Sequence, residues 1–181
     1  MNALFRLLAP LDEAVAAALS AAATPAGVEA LRVLSLAHTA PGMAVLVAGG
    51  CALLLALRDR AGALWLVLVF YSGAALNHAL KHAVQRPRPG ATALPGATDF
   101  AFPSGHAAQA TLLYGALVLL AWRHVASRTA RWAIAGLAAA LVLAVAASRL
   151  VLQAHWFSDV VAGVLLGLAW LGIASALRRA R

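Results

Sequence analysis

An all-α, multi-span transmembrane helical bundle is the architecture this chain's apolar residues prescribe. Of 181 residues, 64% are hydrophobic and 11% charged, with a mean hydropathy of +0.87, and such figures belong to a bilayer rather than to water. The apolar residues gather into stretches of about 20, the length of helix that crosses a hydrocarbon core. They do not alternate with period two, so helices rather than a barrel satisfy the backbone in lipid. An ordinary soluble domain is thereby excluded. The lone Cys51 excludes a disulfide framework and a cysteine metal cluster.

The first forty residues are interrupted by Pro10, Asp12, Glu13, Pro25, Glu29 and Arg32, which suits amphipathic helices near the interface, a candidate sixth span at most. A cleavable signal ending at Ala21-Ala22-Ala23 is disfavoured, since a single Arg6 precedes an apolar region already broken by Pro10 and Asp12. Five firm spans follow, roughly Pro41–Leu57, Ala61–Val84, Gly105–Trp122, Trp132–Leu152 and Phe157–Leu177, each bounded by charge. With no linker or repeat between them, residues 1–181 read as one integral-membrane domain: interfacial helices to residue 40, then a bundle over 41–177.

Orientation comes from the cations. Arg58, Arg60, Arg123, Arg128, Arg131, Arg178, Arg179 and Arg181 fall on one side, which the positive-inside rule makes cytoplasmic. Trp122 and Trp132 flank the central Arg-rich loop and Trp156 lies at the other face, placements that suit interfacial anchors. The formal net charge of +8 is accounted for by topology and by one polar cluster, so it is no argument for nucleic acid.

Alternating the spans brings that cluster to the opposite face, where ionisable residues at span ends are costly and point to function. Its first segment runs from Lys81, the only lysine, through Arg86-Pro87-Arg88-Pro89, where proline ends the helix and holds cations on a stiff turn. Arg forks and a Lys point charge suit a phosphate. Two Arg-Pro pairs leave open whether Arg86 or Arg88 does more. In the second segment, Phe102-Pro103-Ser104-Gly105-His106, Ser104 is a favoured N-cap and Gly105 permits close backbone approach, so free N–H groups await an anion. His106 then stands in the first turn, placed for proton transfer. The third segment holds Ser148-Arg149, His155 and Asp159. Four apart on a helix, His155 and Asp159 would share a face, the carboxylate accepting from one imidazole nitrogen and leaving the other a lone pair. Gly163 and Gly167 continue that face and allow another helix to pack closely.

Together the segments resemble the signature of the type 2 phosphatidic acid phosphatase (PAP2) family, whose fold is shared with bacterial acid phosphatases and vanadium haloperoxidases. Its parts, K-x6-R-P, P-S-G-H and S-R-x5-H-x3-D, match Lys81 to Arg88-Pro89, Pro103 to His106, and Ser148-Arg149 to His155 to Asp159 without departure. The resemblance covers about residues 41–177. It implies His155 as nucleophile forming a phosphohistidine, Asp159 fixing its tautomer, and His106 as general acid and then base. It makes Lys81, Arg88, Ser104, the Gly105 N–H and Arg149 the binders of the phosphate oxygens, with no metal or other cofactor. A membrane lipid carrying its phosphate at the extracytoplasmic face of the bacterial inner membrane is then the expected substrate. The compact chain is most like undecaprenyl-diphosphate phosphatases, with phosphatidylglycerophosphate or phosphatidic acid as alternatives. Three other readings stay open on the residues alone: a serine protease with Ser104 as nucleophile and His155 as base, a non-catalytic phosphate-lipid binder or transporter, and a metal held by His106, His155 and Asp159.

Overall fold

The computed structural model describes residues 3–89 and 100–179; Arg181, placed on the basic side above, lies outside them. Among the described residues there are seven helices and no strand: α1 (Ala3–Ala22), α2 (Pro25–Ala37), α3 (Ala40–Ala56), α4 (Arg60–Val84), α5 (Gly105–His124), α6 (Arg128–Val151) and α7 (Phe157–Arg179). The starts follow local chemistry. Asp59 accepts the Gly62 N–H at 2.8 Å to cap α4, Thr24 caps α2 ahead of Pro25, and Ser127 accepts the Ala130 N–H to cap α6.

Helix α5 is the central element, packed against α4, α6 and α7. Met43, Val47 and Leu54 of α3, Leu66 and Phe70 of α4, Leu112, Leu113 and Leu120 of α5 and Leu171 of α7 form one buried core. Leu64, Leu68, Leu137, Leu143, Leu165 and Leu168 point outward instead, the inversion expected where lipid is the solvent. Small residues set the α5–α7 separation: a Cβ on Gly163 would lie 2.5 Å from the Ser104 carbonyl oxygen, and one on Gly167 would lie 2.7 Å from Thr111 Cβ. The face read from the glycine spacing is therefore the one in contact.

Helices α4 to α7 are each long and apolar enough to span a bilayer. The span expected at Pro41–Leu57 is the 17-residue α3, about 25 Å at 1.5 Å per residue and so about a turn short of the core thickness. Helices α1 and α2, bent by 117° at their junction, pass the length and composition test only as a pair. They are packed structure: α1 touches α6 and α7, and α2 touches α3 and α6. At the basic end Asp59 gathers His124 at 2.9 Å and Arg123 at 3.4 Å, tying the α3–α4 turn to the end of α5. Trp122 and Trp132 meet edge to face there, 5.9 Å between centroids. The ends of α4 and α6 and the starts of α5 and α7 lie at the other end.

Candidate active site

Helix α4 stops because Gln85 adopts a left-handed conformation (φ 51°) and Pro87 cannot continue the ladder. The turn sends the two arginines different ways. Arg86 is 6% exposed and folds back into the protein, donating from Nη1 to Asp159 Oδ1 at 2.5 Å and from Nη2 to Asp12 Oδ2 at 2.8 Å. Arg88 reaches across to the α6–α7 loop, where Nη1 donates to the Ala154 carbonyl at 2.6 Å and lies 3.3 Å from His155 Nε2. The ambiguity between them is thus resolved in space: Arg88 stands at the histidine, and Arg86 is held between two carboxylates. Lys81, buried in the last turn of α4, donates to the Phe100 carbonyl.

Ser104 occupies the N-cap of α5, as its type suggests, but its hydroxyl makes no cap hydrogen bond. Its N–H donates to the Asp159 carbonyl at 3.0 Å, and the Ala101 N–H donates to the Arg86 carbonyl at 2.8 Å. These two bonds clamp the segment before α5 between the first and third signature segments. Past the cap, the first-turn N–H groups of Gly105 and His106 have no intrahelical acceptor.

Arg149 ends α6 at 1% exposure, its Nε donating to Ser148 Oγ at 3.1 Å. A tight turn follows, with Ala154 N–H donating to the Arg149 carbonyl at 2.9 Å. Here the structure corrects the sequence reading of the His155–Asp159 pair. Helix α7 starts at Phe157, so His155 precedes the helix and the two residues are not stacked on one helical face. Nδ1 is hydrogen-bonded to the Ala101 carbonyl at 2.7 Å, while Asp159 Oδ2 stays 3.8 Å away and accepts the Trp156 N–H at 2.9 Å. A carbonyl can only accept, so the backbone of Ala101 places the proton on Nδ1 and leaves Nε2 a lone pair facing Arg88. Asp159 contributes charge across a gap and organises the first turn of α7. Burial pushes the His155 imidazole below its ordinary value, against the pull of the Asp159 carboxylate. Trp156 is also more than an anchor. Its Nε1 donates to the Pro87 carbonyl at 3.1 Å, and its ring centroid lies 5.6 Å from the Arg86 guanidinium carbon.

The structure therefore brings together Lys81, Arg88, Ser104, Gly105, His106, Arg149, His155 and Asp159. His106, the second residue of α5, is placed beside them by the Ser104 N-cap. Four buried polar atoms lack a hydrogen-bond partner among the described residues: Ser104 Oγ, His106 Nε2, Arg149 Nη2 and Asn77 Nδ2. Asn77 was not singled out in the sequence. It lies one turn before Lys81, and a Cβ on Gly105 would sit 3.4 Å from Asn77 Oδ1 and 3.8 Å from Lys81 Cε. Its signal was a polar residue four positions from a lysine within an apolar span. The His106, His155 and Asp159 set raised as a metal site does not gather as such among the described residues. Native proteins rarely leave buried donors unpaired, and a buried arginine with an unpaired nitrogen is costlier still. Such a deficit of acceptors is what a multiply charged oxyanion would fill.

The fold and site define an integral membrane protein whose helical bundle carries, at one end, a buried histidine surrounded by cations and unpaired donors. The PAP2 superfamily model matches residues 62–181, and the chain belongs to that superfamily. Phosphatidylglycerophosphatase B of Bacillus subtilis (strain 168) is 34% identical over 109 residues, 58% of this chain. The match spans about half of that relative, 52% of its length. Among solved structures, a transmembrane PAP2-type phosphatidylglycerolphosphate phosphatase from Bacillus subtilis superposes with a TM-score of 0.88 at 24% identity, covering 96% of this chain and 87% of the other. LpxE of Aquifex aeolicus superposes at 0.74 and 18% identity over 92% and 95%. At these identities the superpositions establish the fold.

Proposed function

We propose that the protein is a membrane phosphatase that removes phosphate from a lipid through a phosphohistidine intermediate. The observation that carries the reading is the lone pair of His155 Nε2, fixed by the Ala101 carbonyl and set among Arg88, Lys81, Arg149 and the unpaired donors Ser104 Oγ and Arg149 Nη2. Nε2 attacks phosphorus in line, and the bond from phosphorus to the lipid oxygen breaks as His106 protonates that oxygen. His106, now neutral, takes a proton from water. The resulting hydroxide displaces His155 and releases inorganic phosphate. Lys81, Arg88, Arg149, Ser104 and the Gly105 N–H hold the equatorial oxygens while their charge is redistributed, the electrostatic term that dominates phosphoryl transfer. Asp159 opposes the positive charge that builds on His155.

With the basic helix ends cytoplasmic, the site opens toward the extracytoplasmic headgroup layer of a bacterial inner membrane, where a lipid phosphate lies. Helices α1 to α3 belong to the same domain on this reading. The name of the Bacillus relative puts phosphatidylglycerophosphate first among substrates to try. Undecaprenyl diphosphate, the carrier lipid that the family resemblance suggests, comes second.

The test is phosphate release by the detergent-purified chain, in excess EDTA, from phosphatidylglycerophosphate, undecaprenyl diphosphate and phosphatidic acid, beside His155→Ala. Release that survives EDTA and is lost in His155→Ala is the expected result, and the preferred lipid fixes the biology. Release unaffected by His155→Ala refutes the mechanism, and no release from any lipid favours a binder or transporter.

A further inference from the structure

The family match begins at residue 62 and the signature segments begin at Lys81, yet α1 contacts each of those segments. The Phe5 ring stacks edge-on against Phe102, 5.3 Å between centroids, and lies 4.2 Å from the Arg86 guanidinium carbon. Ser20, near the end of α1, accepts a hydrogen bond from Gln153 in the turn before His155. Between them Asp12, 1% exposed, accepts from Arg86 Nη2 at 2.8 Å, from the Ser158 N–H at 2.8 Å and from Ser158 Oγ at 2.7 Å. An aspartate on an N-terminal helix is thus buried against the start of α7, in a setting where an unpaired charge would be prohibitive.

Resting on the phosphohistidine reading, we infer that Asp12 is a positioning residue for His155, acting through Arg86 and Asp159. One guanidinium serves two buried carboxylates. Arg86 gives Nη2 to Asp12 and Nη1 to both Asp159 at 2.5 Å and Ser158 Oγ at 2.7 Å. Because Asp12 takes part of its charge, Asp159 is held in place without being fully neutralised. The charge that remains on Asp159 is what faces His155 Nδ1 across 3.8 Å when the imidazole becomes cationic on attacking phosphorus. Without Asp12, the whole Arg86 charge falls on Asp159, and the Ser158 N–H and hydroxyl lose their acceptor. Asp12 does not touch the substrate, so it acts on the rate of the step and not on lipid binding.

The experiment compares kcat and KM of the full chain, folded and monodisperse in detergent, for wild type, Asp12→Asn, Asp12→Glu and His155→Ala on whichever lipid the substrate screen selects. Asp12→Asn is expected to lower kcat about 10- to 100-fold, the size of loss seen when metal-bound histidines lose an outer partner, with KM unchanged. Asp12→Glu, which keeps the charge, recovers most of that loss. Inactivity of His155→Ala secures the underlying reading, and activity in it overturns both. With His155→Ala inactive, a wild-type kcat in Asp12→Asn overturns the inference alone, as does an Asp12→Glu variant no better than Asp12→Asn. Where Asp12→Asn gives no folded protein, Ser158→Ala decides, since it cuts one arm of the linkage without unpairing a charge. A several-fold loss of kcat at constant KM supports the role, and an unchanged kcat overturns it.

Discussion

Replacing Arg86 and Arg88 in turn by leucine should give two different lesions, although the residues share the same Arg-Pro context two positions apart. Arg86 is nearly inaccessible and is the cation between Asp12 and Asp159, themselves 1% and 0% exposed. Removing it leaves two buried carboxylates uncompensated, and breaking a buried pair in this way costs about 3–5 kcal/mol. For a chain of this length that is an apparent melting temperature lowered by roughly 10 °C. Activity falls too, because Asp159 loses its tether. Arg88 is half-buried, beside His155 Nε2. A phosphoryl oxygen bound at about 4 Å from its charge would gain about 4 kcal/mol at an effective dielectric of about 20. Arg88→Leu should therefore lower kcat about 100- to 1,000-fold, as loss of one transition-state donor does elsewhere, and leave the melting temperature within a few degrees of wild type. The assay is paired: thermal unfolding in detergent followed by tryptophan fluorescence, and phosphate release from the preferred lipid. Refutation would be an Arg86→Leu protein as heat-stable as wild type, or an Arg88→Leu protein that keeps wild-type turnover.

Three further outcomes follow from the same geometry. Asn77→Leu removes a buried Nδ2 that has no hydrogen-bond partner among the described residues; the expectation is a roughly 10- to 100-fold loss of kcat/KM, the worth of a hydrogen bond to a charged group, without a lower melting temperature, and a stability loss with normal kcat/KM would assign Asn77 to packing instead. Gly163→Ala places a Cβ 2.5 Å from the Ser104 carbonyl whereas Gly172→Ala meets nothing within 4 Å; the first should destabilise by about 1–3 kcal/mol and the second stabilise by up to about 1 kcal/mol through helix propensity, a contrast that thermal unfolding reads directly. Burial lowers the His155 pKa and Asp159 opposes that shift, so the imidazole stays neutral to lower pH than an exposed histidine, and Asp159→Asn should move its titration lower still; histidine-selective acylation of His155 followed against pH measures both, and an upward shift in the variant would contradict the assignment.

Hydropathy made the bundle legible, because a helix in lipid must announce itself as an unbroken apolar run. The same logic is least decisive for α3, whose 17 residues are apolar but about a turn shorter than the core thickness. It fails for α1, where Pro10 and Asp12 resemble interruptions although Asp12 is the most deeply engaged acidic residue before Asp59. The site residues were legible because each signature segment is local: a helix end, an N-cap and a turn into a helix each fix a few side chains through their neighbours in sequence.

What the local pattern could not carry were the partners. His155 and Asp159 sit four apart, which on a helix means contact, yet the helix begins two residues after His155. The proton-fixing acceptor is the Ala101 carbonyl, 54 residues away and supplied by backbone, whose identity no side chain reports. Arg86 and Arg88 are indistinguishable by type and by the proline that follows each. The left-handed turn at Gln85, a conformation its residue type does not announce, and a carboxylate 74 residues upstream separate them. A reactive histidine is specified by its own neighbourhood in sequence, but its charge and tautomer are specified by whatever the tertiary fold lays against it. In this chain that layer includes α1, a helix outside the family match, so a variant confined to α1 should change turnover with every signature residue still in place.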